Sequence, residues 1–197
     1  EQSPAWYASH FKDARPGQRR GDITPFYLFH PQAPQRIHSL LPNAQLIVLL
    51  RDPVERALSQ YFHSVRLGFE PLPVAEGLAA EPERMRTKDP LHLQEHSYVS
   101  RSRYLEQLDR YRELFSDQQL LVLKSEAFFA DPAATWKRIE LFLGLPTTPC
   151  PPSLPKANSG QGEALAVPEE IRVDLRHQLK STALGIRERH GFGWDWA

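Results

Sequence analysis

Two uninterrupted apolar runs, Leu46–Leu50 and Leu120–Leu123, stand out in a chain whose other apolar positions recur mostly at helical spacing. A short run without polar breaks suits a strand covered on both faces of a parallel sheet, and the β-branched Ile47 and Val48 strengthen that reading. Asp52-Pro53 follows the first run, an acidic cap and then a proline suited to a first helical turn. The pattern predicts a strand, a sharp crossing and a helix through about Val65. Tyr104, Leu108, Tyr111 and Leu114 then mark one face of a helix that leads to the second strand. Ala133–Leu143 predicts another helix, ended by Gly144 and Pro146, and Pro168-Glu169 opens a last one reaching roughly Arg187. Two strand-to-helix alternations indicate an α/β fold, in which functional groups gather at the carboxyl edge of the sheet.

The other segments are less regular. Trp6–Phe11 reads as a short amphipathic helix or turn, Arg15–Gly21 as a loop, and Pro31 and Pro34 precede a helix around Ile37–Leu41. Between 68 and 97, Pro71, Pro73, Pro82 and Pro90 interrupt the pattern. The charges of Glu81–Asp89 favour a solvated excursion over core, an ordinary surface feature or a lid over substrate. Lys156–Gly162 reads as an exposed loop, and the rings of Phe192–Trp196 are expected to pack onto the domain. With no internal repeat and no composition break, residues 1–197 are expected to form a single α/β domain.

Composition limits the function. The 197 residues carry 24 basic and 24 acidic side chains, which argues against a polyanion-binding surface over the whole molecule and leaves room for a local basic cleft. One cysteine, Cys150, allows no internal disulfide and no cysteine-based zinc cluster, so a cytoplasmic setting and no metal are expected. The amino-terminal residues lack a signal-peptide pattern, and no apolar run approaches the length of a membrane span. No nucleic-acid or coiled-coil signature is present, and the oligomeric state is not legible.

Chemistry concentrates after the first strand. Arg51 should emerge where the strand opens, and a guanidinium can grip two oxygens of a phosphate in a fixed fork. Ser59, seven residues after Asp52, falls nearly two helical turns on and faces the same side. On the residues alone a second reading is equally open, in which Arg51 pairs with Asp52 or Glu55 and Ser59 is merely exposed. Arg56 more readily solvates a helix face.

The stretch Leu46-Ile-Val-Leu-Leu-Arg-Asp-Pro-Val-Glu-Arg-Ala-Leu-Ser59-Gln-Tyr61 resembles the 3'-phosphate-binding segment of bacterial sulfotransferases related to the heparan sulfate sulfotransferases. Further likeness lies in Trp6–Phe11, in Gly21-Asp-Ile-Thr-Pro-Phe-Tyr27, in Tyr98–Leu108 followed by Gln119–Pro132, and in Lys156-Ala-Asn-Ser-Gly160 and Gly191-Phe-Gly-Trp194. The resemblance implies a P-loop-like, three-layer α/β domain around a central, mainly parallel sheet. It also implies transfer of a sulfuryl group from 3'-phosphoadenosine-5'-phosphosulfate to a hydroxyl or amine, a carbohydrate among the acceptors, leaving 3',5'-adenosine bisphosphate. Arg51 and Ser59 take the 3'-phosphate in that family. Tyr98 and Arg101 are further candidates for donor recognition, and Lys156, Asn158 and Gly160 for a cofactor loop spanning 153–162.

The departures matter too. The family's Gly-rich, Lys-containing loop for the 5'-phosphosulfate and its glutamate base are not found in these residues, so an N-terminally incomplete domain is expected, or one that has lost catalysis. The alternative function is a non-catalytic nucleotide- or substrate-binding module that keeps the 3'-phosphate site. Lys12, Arg19 and Arg20 read as a solvated turn. Asp22 either aligns the site or caps its Thr-Pro turn, and Ile23 stands where some relatives have lysine. His10, His92 and His96 can titrate near neutral pH, although no neighbouring nucleophile supports them as catalytic groups.

Overall fold

The computed structural model describes residues 3–87, 89–152 and 162–197. Three short helices come first: α1 (Pro4–Ser9), α2 (Phe26–Phe29) and α3 (Ala33–Leu40). Strand β1 (Leu46–Leu50) passes through two residues into α4 (Pro53–Arg66), followed by α5 (Val74–Arg86) and α6 (Pro90–Glu95). A 3-10 turn at Ser100–Ser102 precedes α7 (Tyr104–Arg112), and another at Asp117–Gln119 precedes β2 (Leu120–Lys124). The chain continues through α8 (Ser125–Ala130), α9 (Pro132–Leu143), a 3-10 turn at Glu163–Ala166 and α10 (Glu169–His190).

β1 and β2 pair in parallel, from Leu46 opposite Leu120 to Leu50 opposite Lys124. Parallel pairing brings Arg51 and Ser125 to the same sheet edge, which is where an α/β fold collects its functional groups. Among the described residues the sheet consists of these two strands. Helices dominate around this small sheet, an α/β arrangement in which a three-layer stack around a larger sheet is not evident among the described residues. Cover over β1 is also unequal. Leu50 is 1% exposed and Leu49 43%, because alternate side chains leave opposite faces and the helices pack more fully on the Leu50 side. The expected burial of both faces describes β2 better than β1.

On the covered face, Leu50, Leu120 and Val122 meet Tyr104, Leu108, Tyr111, Phe115, Ala183, Ile186 and Trp194. A second cluster joins Val54, Leu58 and Val99 to Val167, Leu175 and Leu179. One stripe of α10 serves both, with Leu175 and Leu179 in the second cluster and Ala183 and Ile186 in the first, at the spacing of a single helical face. Gly185 lets α7 come close to α10: a Cβ there would stand 2.3 Å from Leu105 Cδ1.

The segment read as a solvated excursion forms α5 and α6 instead. Pro73 and Pro90 sit at helix starts, where proline is tolerated. Two buried carboxylates tie these helices down. Glu81 is 3% exposed and accepts from Val99 N at 2.6 Å, Ser100 N at 2.8 Å and Ser100 Oγ at 2.6 Å. Glu70 is 4% exposed and accepts from Leu72 N at 3.0 Å, Tyr98 Oη at 2.7 Å and both terminal nitrogens of Arg84. Burial opposes its ionisation, yet the Arg84 and Tyr98 donors prevail and hold its carboxyl below the ordinary value. No helix of the described residues is long and apolar enough to cross a membrane.

Candidate functional site

The crossing from β1 to α4 is held by its sequence and by three distant side chains. Asp52 Oδ1 accepts from Val54 N at 2.8 Å and Glu55 N at 3.2 Å, capping α4, and Pro53 begins the helix. Tyr104 Oη donates to the Arg51 carbonyl at 3.1 Å. Asp52 N donates to Glu126 Oε1 at 2.7 Å, and Trp196 Nε1 donates to Asp52 Oδ2 at 2.6 Å. The Arg51 carbonyl, the Asp52 N–H and carbonyl, and both Asp52 carboxylate oxygens thus have partners. The Arg51 guanidinium is exposed and makes no hydrogen bond or ion pair among the described residues.

Because Asp52 already takes the first amides of α4, the helix end is not an open anion nest; an anion here must be read by side chains. Ser59 is half-buried, and its hydroxyl has no hydrogen-bond partner among the described residues. At about 1.5 Å rise per residue it stands roughly 10 Å along α4 from the cap, on the same side. Arg56 points elsewhere. Its Nε donates to Ser102 Oγ at 2.7 Å, another nitrogen donates to the Tyr98 carbonyl, and Ser102 Oγ donates to the Pro53 carbonyl at 2.7 Å. Arg56 therefore locks α4 to the Ser100–Ser102 turn, and burial lowers its pKa. Burial also pushes the Tyr104 phenol up, so it stays a donor to Arg51, in the fields of Arg56, Arg51, Asp52 and Glu126.

Tyr98 and Arg101, expected at the donor, are spent within the protein. Tyr98 is fully buried with its hydroxyl on Glu70. Arg101 donates to the Leu93 carbonyl at 2.9 Å and the Gln94 carbonyl at 2.6 Å, and its Cζ lies 4.7 Å from the Phe26 ring centre and 5.4 Å from that of Phe29. Burial brings its pKa down to about 10, which still leaves it charged at neutral pH. Asp22 accepts from Tyr27 Oη at 2.9 Å, Thr24 Oγ1 at 3.3 Å and Tyr7 Oη at 3.5 Å, an arrangement that organises the local turn. Beside it Ile23 is 94% exposed.

The histidines lie apart from the sheet edge. His10 Nδ1 sits 3.0 Å from the Trp6 carbonyl on exposed α1. His96 is buried with the excursion helices, its Nε2 3.1 Å from the Phe69 carbonyl and its Nδ1 without a partner among the described residues. Lys156, Asn158 and Gly160 lie outside the described residues. The three anchors on the Arg51-Asp52 turn were not singled out from the sequence as its partners. Glu126 had one signal, its place in Lys-Ser-Glu immediately after the second apolar run.

Residues 3–149 match the profile described as the sulfotransferase family. Human heparan sulfate glucosamine 3-O-sulfotransferase 6 is 31% identical over 150 residues, 74% of this chain and 41% of that protein. Membrane-associated sulfotransferase kil1 of Dictyostelium discoideum is 47% identical over 64 residues, 31% of this chain and 14% of that protein. The crystal structure of a sulfotransferase from Alicyclobacillus acidocaldarius superposes with a TM-score of 0.82 at 26% identity, covering 99% of this chain and 74% of that one. The chain spans less than half the length of the curated relatives it matches.

Proposed function

Because the chain belongs to the sulfotransferase family, we propose that it binds 3'-phosphoadenosine-5'-phosphosulfate through Arg51 and Ser59 and serves transfer of the sulfuryl group to a saccharide hydroxyl or amine. The observation that carries this reading is the Arg51 guanidinium, exposed and without a hydrogen-bond or ion-pair partner among the described residues, beside a turn whose Arg51 carbonyl, Asp52 N–H and Asp52 carboxylate are partnered. A rigid turn that leaves one planar cation free suits bidentate recognition of a phosphate. Ser59 adds a directional hydroxyl on the same side of α4. The donor supplies the activated sulfuryl group, and its departure leaves adenosine 3',5'-bisphosphate. The reading extends to Lys156, Asn158 and Gly160 as groups that close on the donor, from the likeness of that loop to the family's. No general base is assigned.

Calorimetry with adenosine 3',5'-bisphosphate and adenosine 5'-monophosphate tests the phosphate contact. The bisphosphate should bind more tightly, and Arg51→Ala should weaken it about 10- to 100-fold, the worth of a charge-assisted pair. Equal affinity for the two nucleotides, or an Arg51→Ala protein that binds the bisphosphate normally, sinks the reading. Labelled-sulfate transfer to saccharide acceptors then tests catalysis; binding without transfer favours a nucleotide-binding module.

A further inference from the structure

We infer that Trp196 is a positioning residue that keeps Arg51 available to phosphate by occupying the second oxygen of Asp52. The inference rests on the reading of Arg51 as the phosphate ligand and assigns that site a support 144 residues away in sequence. Arg51 and Asp52 are neighbours of opposite charge, so an Asp52 oxygen left open offers the guanidinium an internal anion adjacent in the chain. A paired arginine is neutralised and turned away from any ligand. In this structure the pair does not form among the described residues, and both carboxylate oxygens are engaged. Oδ1 caps α4 through Val54 N and Glu55 N, and Oδ2 receives the Trp196 indole N–H at 2.6 Å.

The indole is a fixed reference and not a loose contact. Its ring packs against both core clusters, so the hydrophobic core sets where the N–H points. The segment carrying it is pinned twice more, by Lys124 Nζ on the Gly193 carbonyl at 2.6 Å and by an Arg187 nitrogen on the Trp194 carbonyl at 3.0 Å. Capping α4 needs only one Asp52 oxygen, so helix stability alone does not call for the Trp196 contact. Tyr104 and Glu126 hold the backbone of the turn. Among the described residues Trp196 alone holds the second carboxylate oxygen, and with it the choice between an internal ion pair and a free guanidinium.

The test uses Trp196→Phe, which keeps a ring in the core and removes the N–H. Binding of adenosine 3',5'-bisphosphate to the full chain is measured by calorimetry and referred to the folded fraction read from circular dichroism. The substitution should weaken binding about 5-fold, the worth of one hydrogen bond. Adding Asp52→Asn, which still caps a helix but carries no charge, should restore affinity to within about 2-fold, since asparagine cannot neutralise Arg51. In an Arg51→Ala background Trp196→Phe should have no further effect. Unchanged affinity in Trp196→Phe, no rescue by Asp52→Asn, or a loss that persists without Arg51 each overturns the inference while leaving the phosphate reading intact. A bisphosphate affinity indifferent to Arg51→Ala overturns the phosphate reading itself.

Discussion

Glu70 and Glu81 are both almost without exposure, Glu70 ahead of α5 with donors from Tyr98, Arg84 and Leu72 N, and Glu81 within α5 with donors from Val99 N, Ser100 N and Ser100 Oγ. At the end of β1 the arrangement is reversed. There Asp52 and the backbone around it are partnered, and the Arg51 guanidinium is exposed and makes no hydrogen bond or ion pair among the described residues. Both regions join elements far apart in sequence by polar contacts. In the excursion the charges are consumed in holding helices together, since a buried charge without full pairing is costly. At the sheet edge neutral or already satisfied groups do the holding, and a charge is left over for a ligand. What separates a structural network from a candidate site is therefore where the unused bonding capacity remains, more than how many charged residues are present.

Removing one member from each region should separate the two roles. Glu70→Ala leaves Arg84 and the Tyr98 hydroxyl without their acceptor and should cost about 3 kcal/mol of folding stability, read from urea denaturation. Nucleotide affinity per folded molecule should change little. Arg51→Ala should do the opposite, with stability within about 0.5 kcal/mol of the starting protein and bisphosphate binding reduced as described above. An Arg51→Ala protein as unstable as Glu70→Ala would mean that Arg51 belongs to the framework, and the comparison would collapse.

Acid sharpens the same contrast with a smaller effect. The Glu70 carboxyl is held below its ordinary value of 4.5 by Arg84 and Tyr98 against the opposing pull of burial. A group with a depressed folded pKa contributes its stability fully above the unfolded value and loses it as pH falls through the folded one. Urea midpoints should thus fall more steeply below about pH 4.5 in the natural sequence than in Glu70→Gln, which has no such proton to gain. Parallel profiles for the two proteins would show that Glu70 is not the group being titrated.

The strand ends were legible because their signals are local. An unbroken apolar run followed by Arg-Asp-Pro contains the strand, the cap and the first helical residue within eight residues, and the cap bonds join residues two and three apart. The helices of the excursion were not legible because Glu81 resembles a solvated charge until its donors at Val99 and Ser100 are known. The excursion's prolines also looked like breaks, whereas Pro73 and Pro90 start helices and Pro82 lies within one. The supports of the Arg51 turn were hidden for the same reason. Trp196 and Glu126 reach Asp52 across 144 and 74 residues, and no periodicity encodes a pairing of that length. The extent of the sheet was inferred from likeness alone, and the two strands described here follow from the two apolar runs.

Ser59 gives the smallest and most discriminating prediction. Its hydroxyl bonds nothing among the described residues, and it sits inside a helix where serine is a poorer former than alanine. A residue kept for the framework should not be improved by removal. Ser59→Ala should raise folding stability by about 0.5 kcal/mol through helix propensity, while weakening bisphosphate binding about 5-fold through one lost hydrogen bond. The two measurements move in opposite directions only if the hydroxyl is reserved for a ligand. A protein that becomes more stable and binds as before would remove Ser59 from the site and leave Arg51 to hold the phosphate alone; loss of stability would instead place Ser59 with the structural charges of the excursion.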